Sequence, residues 1–106
     1  MNAPIMLQAG VRVESFTLQN GLIFTFSKYG RVVVLSILGE ASSSIAKNTT
    51  LLDLPNWLHA TSQVKFKDTD TDTVFTISST AHTLKNGAVI DSGAAPRGTV
   101  TYISAE

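Results

Sequence analysis

The 106-residue sequence predicts an all-β domain, and two observations carry that expectation. Apolar residues recur with a period of two almost everywhere, as half-buried strands require, rather than the 3.6 of a helix. Turn-forming pairs, Asn20-Gly21 and Asn86-Gly87 foremost, punctuate the alternation at short intervals, which is the pattern of a barrel or sandwich. The specific expectation is a small antiparallel β-barrel of about seven or eight short strands.

The elements follow in order. Val11 and Val13, then Phe16 and Leu18, alternate with Arg12, Glu14, Thr17 and Gln19 to make a first strand. Asn20-Gly21 predicts a two-residue hairpin turn, since both residue types accept positive φ. Leu22, Phe24 and Phe26 place one apolar face on a second strand. Lys28-Tyr29-Gly30-Arg31 forms the next turn, and residues 31–38 make a third strand that completes a meander. The nearly continuous apolar content of that strand predicts burial on both faces, with a neighbouring subunit as one cover.

Residues 39–60 are less regular. Ser42-Ser43-Ser44 and Lys47-Asn48-Thr49-Thr50 suit loops, because their side chains compete for backbone hydrogen bonds. Residues 51–58 are apolar but interrupted by Pro55, and are expected as an extended segment closing one end of the barrel. Alternation returns at 64–66, 74–78, 83–84, 88–90 and 99–103, with Asn86-Gly87 as a second hairpin turn. No stretch carries an amphipathic helix and no internal repeat is visible.

Composition narrows the function. One domain, residues 1–106, is expected at this length. Apolar residues make up 43% and charged residues 15%, against about 25% charged in an average domain. A buried homo-oligomeric face accounts for the shortfall, as does a Ser/Thr-rich surface. Mean hydropathy is +0.18, too apolar for disorder. Eight basic residues balance eight acidic ones, so nucleic acid is not an expected partner. No apolar run approaches the ~20 residues of a spanning helix, and membrane insertion is not expected. Cysteine is absent, which excludes disulfides and thiolate metal sites.

Catalytic and metal chemistry find little support. His59 and His82 are the only imidazoles, and neither is flanked by a nucleophile or a metal-ligand partner at helical spacing. Glu40, Asp53 and Asp91 are acids that only folding would bring together. Asp68-Thr69-Asp70-Thr71-Asp72 has the carboxylate spacing that opens an EF-hand loop. Thr73 stands where that loop needs Gly and no Glu closes it, so a hairpin tip capped by its own Asp side chains is the better reading. No metal and no cofactor is expected. Trp57, Tyr29 and Tyr102 are the aromatics able to stack on a sugar while keeping a polar handle. Trp57 is either such a platform or a core residue, and Tyr102 is expected to be structural.

Two segments carry a resemblance. Gly39-Glu40-Ala41-Ser42-Ser43-Ser44-Ile45 and Pro96-Arg97-Gly98-Thr99-Val100-Thr101-Tyr102 resemble a Gly-Glu-Ile-Ser-Ser-Ser-Ile segment and a terminal Arg-Gly-x-Gly/Thr-x-Tyr strand. Both belong to the head domains of lactococcal siphophage receptor-binding proteins. Ser27-Lys28-Tyr29-Gly30-Arg31 is similar to that family's Lys-Lys-Gly turn, and the likeness covers most of the chain. It implies a β-barrel head at the virion's tail tip or baseplate, homotrimeric, binding host cell-wall polysaccharide without cleaving it. It also implies a longer protein, whose N-terminal region contacts other phage baseplate proteins.

In the family the sugar site uses a His and an Asp of one strand, hairpin aromatics, and the Arg of the Arg-Gly motif. Only the Arg is kept, as Arg97. Thr76 and Ser78 stand at the His and Asp positions, and the hairpin Trp falls near Asp91 or Ser92. The resemblance therefore implies a site of Arg97, Thr76, Ser78, Asp91 and Ser92, with Trp57 or Tyr29 replacing the lost platform. A relocated site around His82 and Lys85 is the alternative. An ion pair of Arg97 with Asp91 or Glu106 is its purely structural counterpart.

Overall fold

The computed structural model describes residues 11–70 and 73–106. In chain order the strands are β1 (Val11–Thr17), β2 (Ile23–Tyr29), β3 (Val32–Leu38), β4 (Thr50–Asp53), β5 (Val64–Lys67), β6 (Val74–Ile77), β7 (Thr83–Asn86) and β8 (Gly98–Ile103). Among the described residues the one helical element is a 3₁₀ turn, Asn56–Leu58. The fold is all-β, as the period of two predicts. The strands form two antiparallel four-stranded sheets, ordered β1-β2-β3-β8 and β4-β7-β6-β5. Among the described residues no ladder joins them into a closed barrel. They come nearest where β8 starts beside the end of β5. There the Thr69 amide donates to the Arg97 carbonyl at 2.7 Å, and a Cβ at Gly98 would sit 3.1 Å from the Lys67 carbonyl oxygen.

The first sheet follows from local pattern. β1, β2 and β3 pair in unbroken register, Phe16 opposite Phe24 and Phe26 opposite Leu35. The Asn20-Gly21 turn is present but differs from the two-residue form. Leu18 and Leu22 close it, and the Gly21 amide donates to the Leu18 carbonyl at 3.0 Å. Only Gly21 takes positive φ, at 98°, while Asn20 stays negative. This is the three-residue loop in which Gly follows a type I turn. Gly30, at φ 60°, makes the tighter turn between β2 and β3.

Register assigns the two faces. The inward side carries Phe24, Phe26, Val33, Leu35, Ile37 and Tyr102, all buried. Each fully buried side chain of this kind contributes on the order of 2–3 kcal/mol. The outward side of β1 presents Val11, Val13, Ser15 and Thr17, because the apolar phase of the sequence breaks between Val13 and Phe16. Ile23, Thr25, Ser27 and Tyr29 of β2 face the same way. On β3 and β8 they are joined by Val32, Val34, Ser36 and Leu38, and by Thr99, Thr101 and Ile103. The strands' only charged residues, Arg12, Glu14 and Lys28, sit at inward register positions near the open edge. Within one chain, β3 is therefore covered on one face only.

The second sheet contributes Phe66, Phe75, Ile77 and Leu84 to the same core, with Phe66 and Phe75 stacked at 5.4 Å. Its pattern departs from expectation in two places. Asn86-Gly87 is not a hairpin turn: Asn86 pairs with Phe75 inside the sheet, and the Gly87 amide reaches the Val74 carbonyl. A Cβ at Gly87 would lie 2.7 Å from that carbonyl oxygen, so the position needs glycine for close approach rather than for a turn. Residues 88–90 form no strand, only a bridge from Ile90 to Ile45.

Residues 51–58 also divide. Leu51 to Asp53 belong to β4, while Pro55 starts the 3₁₀ turn that buries Trp57 and Leu58. Tyr102 donates its hydroxyl to the Leu58 carbonyl at 2.8 Å and Ser104 donates to the Trp57 carbonyl at 3.0 Å. Burial pushes the Tyr102 phenol well above its ordinary value. The segment packs Leu51, Leu54, Trp57 and Leu58 into the core.

Candidate functional site

A groove of about 490 Å³ opens between the loop that joins β1 to β2, the serine loop at 42–44 and the start of β4. Three segments build it: Leu18, Gln19 and Asn20 of the first hairpin, Ser42, Ser43 and Ile45, and Thr49, Thr50 and Leu51. None of the nine is charged. Leu18, Ile45 and Leu51 supply apolar surface, and the other six supply hydroxyl or amide groups. The Ser42, Ser43 and Thr50 hydroxyls and the Gln19 amide make no hydrogen bond among the described residues, so they remain available to a ligand.

Buried Asn86 anchors the loop that brings Thr49 to the groove. Its amide donates to the Ala46 carbonyl at 2.9 Å and the Ala88 carbonyl at 2.8 Å, while its oxygen accepts from the Thr49 amide at 2.9 Å. Its own carbonyl accepts from the amide of Asn48, which takes φ 62°. On the other side, Asn20 donates to the Ser43 carbonyl at 3.3 Å and Ser92 to the Ser42 carbonyl at 3.2 Å. The serine loop is thus anchored from two directions, with its hydroxyls facing out.

The residues expected to bind sugar are not brought together. Arg97 is half-buried, and its guanidinium donates to the Gly39 carbonyl at 2.7 Å and the Pro96 carbonyl at 2.9 Å. Neither Asp91 nor Glu106 pairs with it; the Arg97 amide instead meets the Asp68 carboxylate at 3.0 Å. That carboxylate also caps its own turn at the Asp70 amide. Thr71 and Asp72, the rest of the acidic repeat, lie outside the described residues.

Thr76 sits on the outer face of the second sheet between Lys65 and Lys85. Ser78 lies beyond the opposite end of β6 from Arg97, roughly 10 Å or more away along the strand. Its hydroxyl accepts from the Ala81 amide at 2.9 Å, closing the β6–β7 turn. His82, in that turn, takes φ 58° and stacks on His59 with ring centres 3.7 Å apart. Trp57 is buried and covered by the Arg12 guanidinium at 3.8 Å, which occupies the face a sugar would need. Tyr29 is exposed, but at the end of β2 away from the groove. Only Asp91 and Ser92 border the serine loop, through Ser92.

Gln19, Ser43, Thr49 and Thr50 were not expected as site residues. Their signal was present as two hydroxyl-rich loops, 42–44 and 47–50, one of them within the segment that carries the resemblance. What the sequence lacked was the pairing of those loops with the first hairpin. Neither a protein-family model nor a curated protein matches the chain.

Proposed function

We propose that this chain is the head domain of a phage receptor-binding protein, which attaches the virion to its host by binding a cell-wall saccharide without cleaving it. The carrying observation is the neutral groove: hydroxyl and amide groups share its lining with Leu18, Ile45 and Leu51, the combination a saccharide's hydroxyls and ring face require. The groove is lined by Ser42, Ser43 and Ile45, within the segment that resembles the phage heads. In this proposal the site has moved from the family's Arg-centred position, and the two sheets are the halves of an open barrel whose seam became the groove. The domain acts as a homotrimer at the tail tip or baseplate, joined to other baseplate proteins through a region before it. Three linked sites raise weak saccharide binding by about 10² or more through effective concentration.

One observation favours a second reading. Arg97, the family's remaining sugar contact, turns one guanidinium nitrogen to backbone carbonyls, as suits a structural baseplate module with no sugar site. Binding of the protein to host cell walls and isolated wall polysaccharide separates the two. The adhesin reading expects strain-selective binding that falls at least about tenfold in Ser43→Trp, which fills the groove, and in Gln19→Ala, which removes one amide. Absence of binding to every wall tested supports the structural module. Selective binding that both variants retain rules out the groove as its site.

A further inference from the structure

The two edges of the first sheet differ. β8 is covered at both ends by its own chain. The Thr61 amide donates to the Ile103 carbonyl at 3.1 Å, the Thr69 amide to the Arg97 carbonyl at 2.7 Å, and Ser104 bridges to Ala60. β1 is bare. The Leu18 amide meets the Leu22 carbonyl at 2.8 Å, and from that pair onward the even-numbered residues of β1 exchange bonds with β2, by the alternation of an antiparallel ladder. Val11, Val13, Ser15 and Thr17 therefore direct their amides and carbonyls away from the sheet, where no backbone group among the described residues meets them. Seven residues without proline or bulge make a pairing template of the kind that folds normally guard. Val13, at its middle, is 59% exposed, more than any other large hydrophobic residue described. Arg12 and Glu14 flank it, both exposed. Arg12 lies over Trp57, yet neither charge has an ion-pair partner among the described residues.

We infer that the open edge of β1 pairs antiparallel with β1 of a second copy, about a two-fold axis at Val13 that joins two four-stranded sheets into one. The inference does not rest on the proposed function. Charge complementarity selects both the occupant and the register. The outward backbone groups belong to odd-numbered residues, so odd positions must face odd ones. With the axis at Val13, Arg12 stands opposite Glu14 of the copy on both sides of it. These are the non-hydrogen-bonded sites, where facing side chains approach closest. Moving the axis to Glu14 sets two glutamates opposite each other, and moving it to Arg12 sets two arginines, which like charges disfavour. With the axis at Ser15, both charges face apolar Phe16 and Leu18. Inward-pointing charges thus guard this edge against other strands while admitting its own sequence in one register. Val13 opposite itself, and Val11 opposite Ser15 twice, exchange ~6 backbone hydrogen bonds. Five paired residues, ~17 Å of strand, bury less than the ~1,000 Å² of a stable complex, so the contact is weak and concentration-dependent. The groove begins at Leu18, beyond the paired residues, and stays open.

Sedimentation equilibrium of the chain from about 10 µM to about 1 mM tests this, a range that spans the midpoint expected of so small a contact. The particle mass should double with concentration, and high salt should weaken the doubling because two ion pairs contribute. Val13→Pro removes the amide on the axis, which faces away from β2, so the ladder within the chain is kept. It should abolish the doubling and leave the far-ultraviolet circular dichroism unchanged. Arg12→Glu and Glu14→Arg each set like charges opposite each other twice, and each should raise the dissociation midpoint at least about tenfold. Mixed in equal amounts the two variants should pair with each other, since every acid again faces a base. Glu14→Arg leaves Arg12 on Trp57, so with Val13→Pro it keeps the test decisive should Arg12→Glu fail to fold. A wild-type mass that does not rise across the range overturns the inference. Doubling that Val13→Pro or Glu14→Arg retains also overturns it, as does a mixture of two folded charge variants that stays as dissociated as its components.

Discussion

The two sheets have four strands each but are specified in different ways. In the first, β1, β2 and β3 have seven residues apiece, pair in unbroken register, and are joined by tight glycine turns. Almost every hydrogen bond within β1–β3 is a ladder bond that alternation and turn chemistry predict. In the second, β4 to β7 have four residues each, and β4 joins β7 through a register shift. Side chains that bond to distant backbone secure this sheet: Asn86 to residues 46, 49 and 88, and Asp68 to residue 97. Short strands gain little from pairing alone, so a few satisfied polar side chains carry a large share of their order. The groove depends on this stitched half, and the open edge of β1 belongs to the regular half.

The largest test of that contrast is Asn86→Ala. It strips partners from the Ala46 and Ala88 carbonyls and the Thr49 amide in a buried setting, and should cost about 3–5 kcal/mol in urea unfolding. A loss below about 1 kcal/mol would show that the second sheet does not rely on the asparagine. Next comes Gly87→Ala, whose methyl group must displace the Val74 carbonyl. Thermal melts should report about 1–3 kcal/mol of destabilisation, the range for overpacking. An unchanged melting temperature would mean that the β6–β7 ladder yields easily there. The smallest effect belongs to the regular sheet. Ser15→Ala breaks the exposed cross-strand bond to Thr25 at 2.8 Å and should cost at most a few tenths of a kcal/mol. A larger loss would place the two sheets on an equal footing.

The same contrast explains what was legible. Phe24, Phe26, Leu35 and Ile37 announced their face by alternation, and Gly21 and Gly30 announced turns. Asn86-Gly87 looked like another hairpin because the dipeptide is identical to Asn20-Gly21. Local sequence does not distinguish an asparagine that turns the chain from one that is buried and bonded to a loop forty residues away. The scattering of the expected sugar-site residues has a related reason. Arg97 was read for its charge and motif, but one of its guanidinium nitrogens turned out to be held by the carbonyls of Gly39 and Pro96.

By itself the sequence determined the all-β class, the first meander and the inward aromatic face of β2, because period two and turn residues act over a few positions. The face that Arg12 and Glu14 occupy was decided by the structure, which turns them inward. Tertiary structure alone decided that the strands divide into two sheets and that Arg12 covers Trp57. It also decided that the serine loop meets the first hairpin to form a groove. Those outcomes depend on contacts between segments far apart in the chain, where loop closure and the satisfaction of buried polar groups select the arrangement.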